Sequence, residues 1–491
     1  MTLTTILLLI TAAALVLTGI TYYVLKHKDS LPLSFLQNWT GALFLFSGYV
    51  KAVDPLGTAY KMEQYFAEFE STLADTALGF MAPIFPVLAE YSISFSVFMI
   101  VLEIILGLAL IIGFRPKLTS WLFFLIVLSF TILTGFTFLT GYVPSGVNFF
   151  SFGDWVPFAE SNMKVTDCGC FGDFLKLEPF TSFMKDVGLM VPALIFLFFT
   201  KSMHQLSAKS STIAAGVLTA PAGLLMGSII PVITAAVYGL GFPKLSKLKD
   251  KTARLLIIGV LTVGTLVYCM SNYVWNIPGQ DFRPFKTNTD VAAVKQAESD
   301  AASAVTTLGY ILTNKADGTV KELTTDEFLK VYKDYPEADW GYDTKVSEPA
   351  IEPTKISDFE MSDVNGDDPI PAMLEDDGYT FLIVAFKLKG EKGNWKASYV
   401  NDWKEDIQPL ATKALAAGHK VVGLTKFNDE ASIDDFRKSI GADYPFWRGD
   451  DIMLKTIIRS NPGVVLMKDG VILGKWHHSR LPAFEEMEEV Q

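Results

Sequence analysis

The residues of this chain whose types and spacing could do chemistry are few, and two of them stand almost side by side. Cys168 and Cys170 occur in VTDCGCFGDFLKLEPF, residues 165–180, and are two of only three cysteines in 491 residues. One intervening glycine allows the tight backbone that a C-x-C ring demands. So small a ring departs from relaxed disulfide geometry and should be readily reduced, which suits thiol–disulfide exchange better than stapling. Two other roles stay open: a local disulfide or two buried thiols that shape the loop, and a metal held by the pair with Asp167 or Asp173, with no histidine near in sequence. Cys269, in LVYCMSN, is either a relay partner for the pair or packing in an apolar helix. Glu103 stands within the apolar run VFMIVLEIILGL. An ionised carboxylate is costly there, so Glu103 is either a bundle-facing proton-handling group or a protonated structural acid bonded to a neighbouring helix. Lys51 and Asp54, in GYVKAVDPLGTAYK, read as an anchoring pair at a membrane interface, with Pro55 and Gly57 suited to a turn.

The elements that must position these residues divide into two halves. Residues 1–277 hold 31 of the 94 Asp, Glu, Lys and Arg, about 11% of that segment, whereas residues 278–491 hold 63, about 29%. A globular domain carries roughly 25%. The first half is therefore membrane and the second soluble, and the formal charge of −12 arises in the second. Residues 3–25, 35–52, 92–114, 118–141 and 255–275 read as full spans of about 20 residues. Residues 187–200 form a short span, extendable toward Phe180 and His204. Residues 211–242, interrupted by Pro221 and Pro231, read as a broken hairpin that enters and leaves on one face. The first segment lacks a basic start and an A-x-A-like cleavage site and reads as a retained span. Basic residues beside the spans (Lys26 and Lys28, Arg115 and Lys117, Lys201 and Lys209, and the cluster from Lys244 to Arg254) are expected inside. Loops 53–91 and 142–186 and everything after Trp275 then lie outside.

The segments GALFLFSGYVKAVDPLGTAYKMEQYF and DCGCFGD before a span resemble the DoxX/MauE-like membrane proteins of bacteria. A Bacteroidetes-type subgroup that adds a periplasmic tail through a DFRPYKIG-like link is similar in Asp281, Phe282, Arg283, Pro284, Phe285 and Lys286. The resemblance covers residues 35–200 and 255–491. It implies a four-helix membrane core in a bacterial inner membrane and redox chemistry between protein thiols and a membrane quinone. Cys168 and Cys170 would be the exchanging pair; Glu103, from its place within a span, would be a proton or quinone contact. The extra first span and segment 211–250 depart from the family pattern. So does the presence of one cysteine pair where such oxidases use two, which leaves direct transfer or relay through Cys269. The division implied is an extra helix over residues 1–30, a core over 31–205, a hairpin and last span over 206–277, and a linker with a small hairpin module over 278–349.

From residue 350 onward, strands alternate with helices, which argues a sheet with crossover helices. The expected order is strand YTFLIVAFKL, helix ASYVNDWKEDIQPLATKALAA, strand HKVVGLTKF, helix ASIDDFRKSIGA, a short helix through DIMLKTIIRS, then strands GVVLMKD and VILGKWHH around an Asp-Gly turn. This order resembles a thioredoxin-like domain, with KISDFEMSDVNGDD similar to the opening hairpin of its TlpA and peroxiredoxin-type members. The resemblance implies a cis bond before Pro462 that presents Asn461 to an extended peptide. The redox motif is absent: the stretch FKLKGEKGNWKAS has no cysteine. His477 and His478, adjacent on a strand, should face opposite ways at a solvated strand end, which argues against a metal site. Trp395, Trp403, Trp447 and Trp476 are core candidates.

The fold expected is thus an all-α membrane bundle followed by a soluble α/β domain. Its expected function is thiol–disulfide exchange with, or maturation of, a periplasmic thiol or disulfide protein. The alternative is a scaffold or assembly factor whose α/β domain only binds. The partners expected are that protein and membrane lipid, with no nucleic acid, because the soluble part is acidic. No metal cofactor is expected.

Overall fold

The computed structural model describes residues 2–25, 30–165, 169–315, 318–347, 350–351 and 353–489. The chain separates into two compact units, residues 1–282 and 283–491.

The first unit is helical: α1 (Leu3–Gly19), α2 (Leu31–Val53), α3 (Pro55–Ala74), α4 (Ile84–Glu90), α5 (Ser92–Ile112), α6 (Pro116–Thr140), α7 (Pro179–Phe198), α8 (Ala208–Thr219), α9 (Ala222–Met226), α10 (Ile230–Leu245) and α11 (Asp250–Val274). Local chemistry sets several ends. Ser30 caps α2 through its side chain, Gly113 closes α5 in the left-handed conformation at φ 68°, and prolines open α3, α6 and α7 at their first residue. Among the described residues, five helices are long and apolar enough to cross a membrane: Leu3–Tyr23, which continues α1, and α5, α6, α7 and α11. These make the chain a multi-pass membrane protein. The 23 residues of α2 are as long but less apolar, because this helix is the buried centre of the bundle. Its polar side chains bond to neighbours: Asn38 donates to Thr18 Oγ1 at 3.1 Å, Trp39 to Thr11 Oγ1 at 3.0 Å, and Gln37 to the Leu110 carbonyl at 3.1 Å.

Small residues let α2 and α5 touch backbone to backbone. A Cβ on Gly41 would lie 2.7 Å from the Gly107 carbonyl, one on Gly107 2.7 Å from the Gly41 carbonyl, and one on Gly48 2.5 Å from Ile104. Helix α7 starts at Pro179, eight residues before the expected span, because Pro179 is itself a good first helical residue. The apolar segment 211–242 is split by the bends around Pro221 and Gly227 into α8, α9 and α10. Gly216 of α8 lies near Tyr238 of α10, and Gly223 of α9 lies near Val232 at the start of α10, so α10 folds back antiparallel along α9 and α8.

The second unit begins with α12 (Val291–Ser303), followed by β1 (Thr307–Asn314), β2 (Val320–Thr324), α13 (Thr325–Val331) and β3 (Trp340–Val346). These strands form an antiparallel sheet in the order β2-β1-β3, so the expected hairpin has a third strand. Next come α14 (Ile370–Leu374), β4 (Thr380–Ala385), β5 (Gly390–Glu391), β6 (Asn394–Trp395), α15 (Ala397–Asp402), α16 (Gln408–Ala416) and β7 (Lys420–Thr425). The chain ends with α17 (Glu430–Ile440), β8 (Phe446–Arg448), α18 (Asp451–Ile457), β9 (Gly463–Lys468), β10 (Val471–His477) and α19 (Phe484–Glu488). The main sheet runs β10-β9-β4-β7-β8. Strands β4, β7 and β8 are parallel, β9 is antiparallel to β4, and β10 to β9. Every residue of β4 is buried, as a central strand covered on both faces requires. Trp403, Phe381, Phe436 and Phe446 pack within the core on one side.

Two sequence expectations are corrected here. Residues 355–368 form no hairpin. Instead Asp363 accepts from the Asn365 and Asp367 amides in a local turn, and Ser362 pairs with Arg448 beside β8. The segment following residue 282 is no free linker. Arg283 donates to the Lys455 and Thr456 carbonyls at 3.2 Å, Lys475 donates to the Phe285 carbonyl at 2.6 Å, and the Asn288 and Val291 amides bond to the β9–β10 turn region.

Candidate functional site

Helices α2, α3, α5, α6 and α7 and the cysteine loop line a recess of about 80 Å³. Its walls are apolar, formed among others by Leu43, Phe44, Met99, Phe130, Leu133 and Leu189. Five charged side chains line it as well: Lys51, Lys61, Glu103, Lys185 and Asp186. Lys51 bonds to Glu103 Oε1, and both are buried. The expected Lys51–Asp54 anchor is therefore corrected. Lys51 faces the bundle interior, where its charge has a carboxylate to meet, while Asp54 accepts from the Gly57 amide at 3.1 Å and caps α3. Lys185 bonds to Asp186, which also accepts from Thr134 Oγ1 at 3.1 Å. The Lys51 ammonium lies 5.1 Å from the centre of the Phe130 ring.

Glu103 lies eleven residues into α5, about 16 Å along the helix at 1.5 Å per residue, close to the middle of a span. Ser47 joins it to the cysteine loop. The Ser47 hydroxyl is 3.3 Å from Glu103 Oε2 and 3.1 Å from the Cys170 carbonyl, and its single proton can serve either acceptor. Cys170 is half-buried and lines the recess with Gly169 and Phe171. Gly169 and Gly172 are left-handed, at φ 61° and 55°, and an added Cβ on Gly169 would meet the Lys61 stem at 3.2 Å. The glycines of C-G-C-F-G thus let the loop lie over the lysine side chains. Cys168 and Asp167, named with Cys170 from the sequence, lie outside the described residues.

Cys269 is buried in α11 within the large apolar cluster of the first unit, and it is not among the residues lining the recess. Lys61, Lys185, Asp186 and Ser47 were not singled out by sequence. Lys185 and Asp186 carried a usable signal, an adjacent charged pair in an otherwise apolar helix.

In the second unit the Asn461–Pro462 bond is cis, as expected for Pro462. Asn461 donates to the Lys387 carbonyl at 2.7 Å, and the Tyr399 hydroxyl lies 3.3 Å from Asn461 Oδ1. Asn461 therefore faces the β4–α15 connection, the stretch that lacks cysteine. Burial pushes the Tyr399 phenol up and holds Lys389, whose ammonium lies 5.1 Å from the Tyr399 ring, below the ordinary lysine range. The β5–β6 hairpin is fastened by Asp435, which accepts from the Gly393 amide and the Trp395 indole, each at 2.8 Å. His477 and His478 depart from expectation. The strand ends at His477, so alternation stops there and the two rings approach to 4.5 Å. His477 is buried with Nδ1 2.9 Å from Ser479 Oγ, and His478 Nδ1 is 2.7 Å from Asp406. No cluster of three or more potential metal ligands occurs among the described residues.

No protein-family model, no curated protein and no solved structure matches this chain.

Proposed function

We propose that the protein is an inner-membrane thiol–disulfide exchange protein whose reacting pair is Cys168 and Cys170, on the periplasmic side, with Cys170 lining the charged recess. The observation that carries this reading is the Ser47 hydroxyl shared between the Cys170 carbonyl and Glu103, because it ties the cysteine loop to a buried acid–base pair. Oxidation of a partner dithiol begins with attack of a partner thiolate on the Cys168–Cys170 disulfide, which forms a mixed disulfide and frees one chain thiolate. The second partner thiolate then displaces the remaining chain sulfur, leaving the partner disulfide and the Cys168–Cys170 dithiol. Closing that dithiol again releases two electrons and two protons. A quinone supplies an acceptor for both. The recess fits its chemistry, since apolar walls suit a ring and the Lys51 and Lys185 ammonium groups are donors for carbonyl oxygens. Glu103 and Lys51 hold a proton at Oε1 or Nζ, and Ser47 extends this path toward the loop.

Strand order and strand directions support a thioredoxin-like reading of the α/β domain. Without a cysteine it acts as a receptor that presents the partner near Cys168 and Cys170. Orientation by the basic residues supports its periplasmic placement. Thiol alkylation in membranes tests the proposal: the pair should shift toward dithiol when quinone is depleted, and Cys170→Ser should trap a partner on Cys168. A pair whose state ignores quinone supply, with no trapped partner, would sink the exchange reading. The absence of any cysteine in the α/β domain favours a second reading, a scaffold. It requires Cys168→Ser/Cys170→Ser to keep full function and loss of residues 350–491 to abolish it.

A further inference from the structure

We infer that residues 78–91 lie in the membrane interface, with Phe80, Ile84, Val87 and Tyr91 seated on phospholipid where headgroups meet acyl chains. These four residues recur at steps of four, three and four, one face of a helical path, and they are 76%, 49%, 54% and 56% exposed. The opposite side faces protein: Ala82 is buried, and Phe85 packs on Phe66 and Phe69 of α3. The exposed stripe does not stop at α4. It continues at the same spacing through Phe95 and Phe98 of α5, a helix long and apolar enough to cross the membrane. The 21 residues of α5 span about 31 Å, already the thickness of the hydrocarbon core, so α4 starts at its boundary. That continuity selects lipid as the occupant.

Glu90 is the only charged residue between Asp75 and Glu103. Attachment therefore rests on apolar burial rather than on attraction to anionic headgroups. The seat bears on the recess as well. Helix α3, held to α4 and α5 by the Phe85 contacts and by Ser92 Oγ donating to Glu63 at 2.9 Å, supplies Thr58, Lys61, Met62 and Tyr65 to the recess. Lipid under α4 thereby fixes one wall of that chamber.

The test uses the full chain in phosphatidylcholine nanodiscs, in a Cys168→Ser/Cys170→Ser/Cys269→Ser background. Nitroxide labels are placed singly at Ile84→Cys, Val87→Cys, Phe85→Cys and, as an aqueous reference, Asp326→Cys. Collision rates with oxygen and with a water-soluble nickel chelate are then compared. Labels at 84 and 87 should favour oxygen over nickel, unchanged by added phosphatidylglycerol, and the label at 85 should be shielded from both. Nickel accessibility at 84 and 87 equal to that at 326 would overturn the inference. So would shielding from both reagents at 84 and 87 with spin–spin broadening, the signature of a second copy on this face.

Discussion

At the scale of single residues, the pairing of Lys51 with Glu103 governs what the recess can do. Removing one partner leaves a charge stranded in the bundle, a loss of about 3–5 kcal/mol for buried pairs. Lys51→Met should therefore lower the thermal midpoint in detergent sharply, and Lys51→Met/Glu103→Leu should recover most of it; equal midpoints for the single and double variants would contradict the pairing. Glu103 was legible in the sequence as a carboxylate out of place. Its partner was not, because Lys51 stands three residues from Asp54, and a local pair looks sufficient until the turn at Pro55 commits Asp54 to capping α3. Contacts over 52 positions leave no mark in a single sequence.

Elements show the same division between local and distant causes. Strands β4, β7, β9 and β10 and helices α16, α17 and α18 fall where alternation and turn residues place them. The edge strand β8 and the third strand β3 were missed, being set by partners rather than by strong patterns of their own. The α2–α5 crossing gives a prediction at this scale. Gly107→Ala, whose new methyl would meet the Gly41 carbonyl, should destabilise by about 1–3 kcal/mol, the usual cost of overpacking. Gly188→Ala, with open space around it, should be nearly neutral in the same unfolding assay. A second prediction concerns the β5–β6 hairpin. Hydrogen bonds from Gly393, then from Trp395, hold the Asp435 carboxyl below the ordinary carboxylate range. A depressed folded pKa adds stability that is complete above the unfolded value, about 3.9, and is lost as pH falls through the folded one. Trp395 fluorescence should accordingly hold steady down to that region and change below it, and Asp435→Asn should remove the transition.

For the whole molecule, the charge division near residue 277 comes within a few residues of the boundary between the compact units at 282. The sequence did not reveal that residues 283–303 belong to the α/β unit, because Arg283 and Lys475 reach backbone carbonyls, which carry no residue signature. A soluble fragment 283–491 should unfold in one cooperative transition by circular dichroism, whereas a fragment 304–491 should melt at lower temperature or over a broader range. Equal behaviour would show the lead-in segment to be dispensable. The buried polar face of α2 carries a consequence for biogenesis. With Gln37, Asn38 and Lys51 in one helix, α2 is a poor substrate for independent insertion, and the helix that accepts its polar groups most closely, α5, is synthesised some fifty residues later. Insertion of this bundle should therefore not be strictly sequential: α2 gains a stable place in the lipid only once α5 is there to receive Gln37 and Lys51.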